Sequence, residues 1–131
     1  MLKANFITAQ EAAEKIQDGS TLCTIGMTLV SASESILKAI EKRFETVGHP
    51  ADITLVHSCG QSDRKDGIQH LAHEGLVKRI VGSHWGLQPR WMEMIANSQV
   101  EAYCLPQGQI AQLYRSMACG LPGKMSKVGL G

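Results

Sequence analysis

Ile53-Thr54-Leu55-Val56, a polar loop at 57–67, a helical segment over about 68–73 with Gly75 near its end, and Val77-Lys78-Arg79-Ile80-Val81: this stretch decides the fold. Two short apolar, β-branched runs bracket a helical segment, the pattern of a strand, a crossover and a second strand parallel to the first. The unit recurs on both sides. Upstream, Leu22-Cys23-Thr24-Ile25 reads as a strand running into Gly26. Ser33 then caps a helix over about 34–45, with Ile36, Leu37, Ile40 and Phe44 as its buried stripe and Glu34 paired to Lys38 on the wet side. Downstream, Gly82-Ser83-His84-Trp85-Gly86 leads into a helix opened by Pro89, and a strand follows at 100–105. The last helix covers about 109–119, with Ile110, Leu113, Tyr114 and Met117 on one face and Gly120 at its end. A capping box, Thr8 with Glu11, opens the first helix over about 9–17.

Short strands alternating with short helices predict an α/β fold, a mostly parallel sheet with helices on both faces, joined by right-handed crossovers. Such a sheet gathers every strand-to-helix loop on one edge, here the loops 26–32, 57–67, 82–88 and 105–108. Ligands of open α/β sheets bind outside the carboxyl ends of the strands, so these four loops are the expected functional edge.

Composition excludes several classes. The 131 residues are 44% hydrophobic and 19% charged with a formal net charge of +1, and acids and bases are interleaved. No field attracting nucleic acid or an anionic membrane is expected. No apolar run approaches the ~20 residues that span a bilayer, and no secretory leader is evident. Cys23, Cys59, Cys104 and Cys119 are scattered without a Cys-x-x-Cys, which suits free thiols in a reducing cytoplasm.

The loops suggest chemistry singly. Gly26 lies between a strand and a helix, where backbone amides hold oxyanions, or where a tight turn simply needs glycine. The stretch Gly26-Met27-Thr28-Leu29-Val30-Ser31 lacks the dinucleotide fingerprint, so a nicotinamide-binding domain ranks last. Trp85 either stacks on a substrate or covers the core, and His84 is either a donor or base or a structural imidazole. Gln107, between Pro106 and Gly108, suits a carboxylate or acyl oxygen, or else bonds nearby backbone. Cys59 needs a base within reach to be a nucleophile, and spacing does not supply one. His70-x-x-His73 has the spacing of two ligands, but no third accompanies it in sequence, so no zinc site is expected.

In order along the chain come Glu74-Gly75-Leu76-Val77-Lys78-Arg79, Gly82-Ser83-His84-Trp85-Gly86 and Glu101-Ala102-Tyr103-Cys104-Leu105-Pro106-Gln107-Gly108. Ala118-Cys119-Gly120-Leu121-Pro122-Gly123 and Val128-Gly129-Leu130-Gly131 follow. Together they resemble the family I coenzyme A-transferases, in particular the single-chain acyl-CoA:acetate/3-ketoacid group that includes propionate CoA-transferase. The resemblance implies the NagB/RpiA/CoA-transferase type of fold, here truncated, with 1–131 as an N-terminal portion lacking the catalytic half. It implies ping-pong transfer of coenzyme A between short-chain acyl-CoA and carboxylates such as acetate, propionate or a 3-ketoacid. Coenzyme A is then substrate and covalent glutamyl thioester, with no permanently bound cofactor. The nucleophilic glutamate lies beyond residue 131, in a C-terminal half or on a second chain, and the complete enzyme is a cytoplasmic homo-oligomer. By motif position the substrate-side residues are Gly26, Met27, Ser58, Cys59, Gly60, Gly82, His84, Trp85, Gly86, Gln107 and Gly108. The family's Gly-Gly-Phe-x-x-x-Gly-x-Pro-Glu is replaced by Ile25-Gly26-Met27-Thr28-Leu29-Val30-Ser31-Ala32-Ser33-Glu34. Alternatives are a non-catalytic module paired with a glutamate-bearing chain, and an acyl-CoA hydrolase.

Overall fold

The computed structural model describes residues 4–130. Its elements run α1 (Ala9–Glu14), β1 (Thr21–Thr24), α2 (Glu34–Val47), β2 (Ile53–His57), a 3-10 turn (Gly67–Leu71), β3 (Val77–Gly82), α3 (Pro89–Ala96), β4 (Glu101–Cys104) and α4 (Gln107–Ala118). All four strands are parallel, in the spatial order β1-β2-β3-β4.

Register sorts the side chains between the two faces. Leu22 pairs with Leu55, Leu55 with Ile80 and Ile80 with Ala102, so these four share one face. That face carries the core: Leu37 and Ile40 of α2, Ile68 and Leu71 of the 3-10 turn, and Trp91 and Met94 of α3 pack on it. Each large apolar side chain taken wholly from water contributes roughly 1.5–3 kcal/mol. The other face holds Cys23, Val56, Val81 and Tyr103 and is only partly covered. Only α4 lies there. Its Tyr114 stands beside Cys23 and Ser58, and Ile110 is fully buried outside the main core. Helices therefore occupy both faces, with α1, α2, the 3-10 turn and α3 on one and α4 on the other. No helix among the described residues is long and apolar enough to cross a membrane.

The predicted elements form, with local differences. The Thr8 capping box opens α1, but that helix ends at Glu14 rather than at 17. Ser33 precedes α2 without a side-chain cap bond, and α2 continues to Val47 before Gly48 ends it in the left-handed region at φ 74°. The crossover after β2 is a five-residue 3-10 turn instead of an α-helix. It is fixed by tertiary contacts: Ile68 and Leu71 are fully buried, and the Trp91 indole N–H donates to the Ile68 carbonyl at 2.9 Å. The last helix begins at Gln107, two residues early, and Met117, expected on its buried face, is 48% exposed.

His70 and His73 meet carboxylates from α2, about 30 residues away in sequence, contacts that spacing along the chain does not reveal. Glu34, Asp66 and His70 come together, as do Glu41, Glu45 and His73. Lys38 reaches Glu34 at 3.1 Å and Asp66 at 3.2 Å, and Arg90 reaches Glu41 at 3.5 Å. His70 bonds Glu41 through Nδ1 and Glu34 through Nε2, the latter at 2.8 Å, so both ring nitrogens act as donors only in the imidazolium. Burial opposes that charge, but Glu41 and Glu34 outweigh it and hold His70 above its ordinary value. For Glu41 burial likewise opposes ionisation, and His73 and His70 outweigh it, keeping the carboxyl below its ordinary value.

Stability from the raised histidine is complete below its unfolded value and is lost as pH rises through the folded one. Stability from the lowered glutamate is complete above its unfolded value and is lost as pH falls through the folded one. The pair therefore holds α2 to the turn best between these limits. Replacing His70 with Gln is expected to cost about 2 kcal/mol at pH 6. The variant should also lose the alkaline decline expected of the native chain in urea unfolding followed from pH 6 to 9.

Candidate functional site

The four predicted loops do meet at the carboxyl edge of the sheet, and direct bonds tie neighbouring loops together. The Thr28 amide donates to the Gly60 carbonyl at 2.9 Å, joining the first loop to the second. The Ser83 hydroxyl donates to the Ser58 carbonyl, joining the second to the third. The Leu105 amide donates to the Gly82 carbonyl at 2.8 Å, joining the third to the fourth.

The first loop is a tight reversal that requires glycine. Gly26 has φ 142°, and a Cβ there would lie 2.9 Å from the Val30 carbonyl oxygen. The amides of Met27, Val30 and Ala32 are all bonded within the loop, so they are not free oxyanion donors. Met27 itself is 61% exposed.

Between β2 and β3 the packing is closer still. His57 is fully buried, and a Cβ on Gly82 would sit 2.3 Å from its Nε2. The imidazole lies edge-on to Trp85 with ring centroids 5.0 Å apart, and its Nδ1–H donates to the Cys59 carbonyl at 2.6 Å. Its Nε2 is buried without a partner. Burial, reinforced by repulsion from His84, pushes its pKa down to about 4 against the bond to Cys59. His57 is therefore a neutral spacer with its proton on Nδ1. It serves the Cys59 carbonyl and not the Cys59 thiol. Trp85 is half-buried against the core. His84 is exposed and lies over Gly60 and Gly86, where added Cβ atoms would meet its ring at 2.8 and 3.2 Å.

Gln107 was expected in the loop, yet it begins α4 and is exposed, as is Gly108 beside it. It faces the same edge. Gln109, further along α4, has a buried Oε1 without a partner. The Tyr114 hydroxyl lies near Cys23 and Ser58, but meets neither at hydrogen-bond geometry, and burial raises its pKa.

Sequence reasoning missed Gln61. This side chain is fully buried, donates from Nε2 to the Thr24 carbonyl at 2.9 Å and keeps an unpaired Oε1. Its backbone amide meets the Gln88 side chain at 3.1 Å, which in turn donates to the His84 carbonyl at 2.8 Å. Its own carbonyl accepts the Ile68 amide at 2.9 Å. One glutamine thus links the end of β1, the third loop and the 3-10 turn. Its place directly after Ser58-Cys59-Gly60 at the functional edge was the available signal.

The edge is a glycine-cut, loop-lined platform with half-buried aromatic and amide groups. A family model described as Coenzyme A transferase matches residues 6–131. The chain belongs to the coenzyme A transferase family. Caffeate CoA-transferase of Acetobacterium woodii is 38% identical over 129 residues, which are 98% of this chain and 25% of that protein. The solved acyl-CoA transferase YdiF of E. coli O157:H7, captured as a thioester complex with CoA, superposes with a TM-score of 0.89. It is 33% identical over 95% of this chain and 26% of its own. One subunit of a probable succinyl-CoA:3-ketoacid coenzyme A transferase of Bacillus subtilis is 27% identical over 95% of this chain and 50% of its own length. This CoA-transferase chain thus spans about a quarter of the length of the first two relatives.

The contact between Gly82 and His57 is testable by a double-mutant cycle. Gly82→Ala is expected to cost about 1–3 kcal/mol by overpacking. In a His57→Ala background most of that cost should vanish, because the clash partner is gone. The pH dependence has a definite sign as well. Between pH 6.5 and about 4 the unfolded chain binds a proton that native His57 refuses. Native stability should therefore fall across that window, and His57→Ala should flatten the fall in urea titrations.

Proposed function

We propose that this chain forms the substrate-side, N-terminal part of an enzyme that moves coenzyme A between short-chain acyl-CoA and carboxylates. The nucleophile is a glutamate supplied by polypeptide outside residues 1–131. Its carboxylate attacks the acyl-CoA carbonyl and expels CoA thiolate, leaving a mixed anhydride. The thiolate then attacks the glutamyl carbonyl, forming the glutamyl-CoA thioester and releasing the first acid as its carboxylate. A second carboxylate reverses both steps.

One observation carries the proposal: the four loops of the edge hold no glutamate, and of their two aspartates Asp63 binds the Lys65 and Asp66 amides while Asp66 pairs with Lys38. Of the eight glutamates, Glu34 stands nearest the first loop. Its oxygens are taken by the Gly67 amide at 2.9 Å and by Lys38 and His70. Glu11 caps α1, Glu41 holds the histidines, and Glu101 bonds Arg79. Cys59, the other candidate nucleophile, has no base directed at its thiol. The role left for Gly26, Met27, Ser58, Cys59, Gly60, Gly82, His84, Trp85, Gly86, Gln107 and Gly108 is to shape and orient the acyl thioester. Remote binding of the nucleotide end of CoA then drives chemistry at the carbonyl.

The Bacillus subtilis relative, itself one subunit of a transferase and covered to 50% by this chain, favours a variant in which the glutamate arrives on a separate chain. The two arrangements share the same chemistry at the loop edge.

Steady-state exchange between acetyl-CoA and propionate tests the proposal. The 131-residue chain alone should show no turnover. Joined to the remaining three quarters of a single-chain relative it should turn over, and Cys59→Ser should retain activity within about threefold. Acid-dependent exchange by the isolated chain, or loss of all activity in Cys59→Ser with the fold intact, would contradict it. Thioester loss that needs no acceptor acid would instead point to a hydrolase.

A further inference from the structure

Three buried glutamines, Gln61, Gln69 and Gln88, stand where the second loop, the third loop and the start of α3 meet. A buried amide is costly unless its donors and acceptor are matched, so the partners of each show what it holds. Gln69 holds α3. Its Oε1 accepts the Arg90 amide at 3.2 Å, and its Nε2 donates to the Arg64 carbonyl at 2.9 Å. It thereby supplies, from the 3-10 turn, a partner for one of the orphan amides that open the helix.

The N-cap residue of α3 is Gln88, and its own side chain makes no cap bond. Short side chains such as Ser, Thr, Asp and Asn are favoured there because they turn back onto the helix amides. Gln88 reaches the other way, into the loops. Its Nε2 donates to the His84 carbonyl at 2.8 Å, and its Oε1 accepts the Gln61 amide at 3.1 Å. Its backbone amide donates to the Trp85 carbonyl at 2.8 Å, and its carbonyl accepts the Met92 amide at 3.0 Å as α3 begins. One residue thus fastens the third loop to itself, to α3 and to the second loop.

These bonds surround Gly60. The Ser83 hydroxyl ties the third loop to Ser58, and Gln88 ties His84 to Gln61, so the anchors fall on either side of that glycine. The exposed His84 ring lies over it, where an added Cβ would sit 2.8 Å from Nδ1.

We infer that Gln88 is a positioning residue of the transferase, setting the His84 imidazole over Gly60 by holding the His84 carbonyl against the Gln61 amide. This rests on the reading that the loop edge receives the acyl thioester. Gln88 is fully buried and acts through His84 alone.

The test uses this chain joined after Gly131 to the remaining three quarters of Acetobacterium woodii caffeate CoA-transferase, assayed for exchange between acetyl-CoA and propionate. Gln88→Met keeps the length of the side chain and removes both of its bonds. It should lower kcat/KM for acetyl-CoA about tenfold, and in a His84→Ala background it should cost nothing further. A merely structural role would cost the same in both backgrounds. Gln88→Glu gives a second reading, because a protonated carboxyl donates and accepts as the amide does while a carboxylate only accepts. Relative to the unsubstituted enzyme at each pH, its kcat/KM should rise about fivefold from pH 8 to pH 6, and His84→Ala should abolish the rise. Should Gln88→Met not fold, as judged by urea unfolding, the Gln88→Glu ratio decides alone. An unchanged kcat/KM in Gln88→Met, an equal loss in both backgrounds, or a flat Gln88→Glu ratio overturns the assignment and leaves the transferase reading standing. No exchange by the unsubstituted joined enzyme overturns both.

Discussion

The close approach of β2 and β3 at their carboxyl ends governs the geometry of this edge. Gly82 has no side chain, and only for that reason can the His57 imidazole lie against β3 with Trp85 edge-on to it. Burial keeps the ring uncharged, and its single proton is committed to the Cys59 carbonyl. The second loop is thereby held against the third, and the Thr28 amide binds the first loop to the same Gly60 segment. Four loops from four strands become one surface because backbone bonds and a neutral histidine bind them in sequence.

That surface is shaped but chemically quiet. Its glycines allow close backbone approach, and it exposes His84 and Gln107, side chains that hydrogen-bond. A cluster of ion pairs gathers where α2 faces the 3-10 turn and works on stability, while Asp63, Arg64 and Lys65 leave exposed charge on the second loop.

Much of the architecture was legible in sequence because period and punctuation agree: β-branched runs, a capping box at Thr8 and Glu11, and glycines after strands. The parallel sheet and the shared loop edge follow from that pattern alone. Details set by contacts between distant segments were not legible. The crossover at Gly67–Leu71 is 3-10 because Trp91 and the core hold it, which no local propensity records. The carboxylates around His70 come from α2, beyond the reach of spacing. Gln61 looks like any polar loop residue until the fold encloses it, and Gln107 shifts from loop to helix because α4 starts at once after Pro106. The family motifs fall on the loops that meet at this edge, while burial and hydrogen bonding decide how each residue is held there.

The most direct measurement is intact-mass analysis after the joined enzyme, assembled from separate polypeptides, is incubated with acetyl-CoA and no acceptor acid. The account predicts that coenzyme A becomes covalently attached to the polypeptide lying beyond this chain, through a bond that hydroxylamine cleaves, while the 131-residue chain keeps its unmodified mass. An acyl group or coenzyme A attached to the 131-residue chain, at Cys59 or at any of its glutamates, would contradict it.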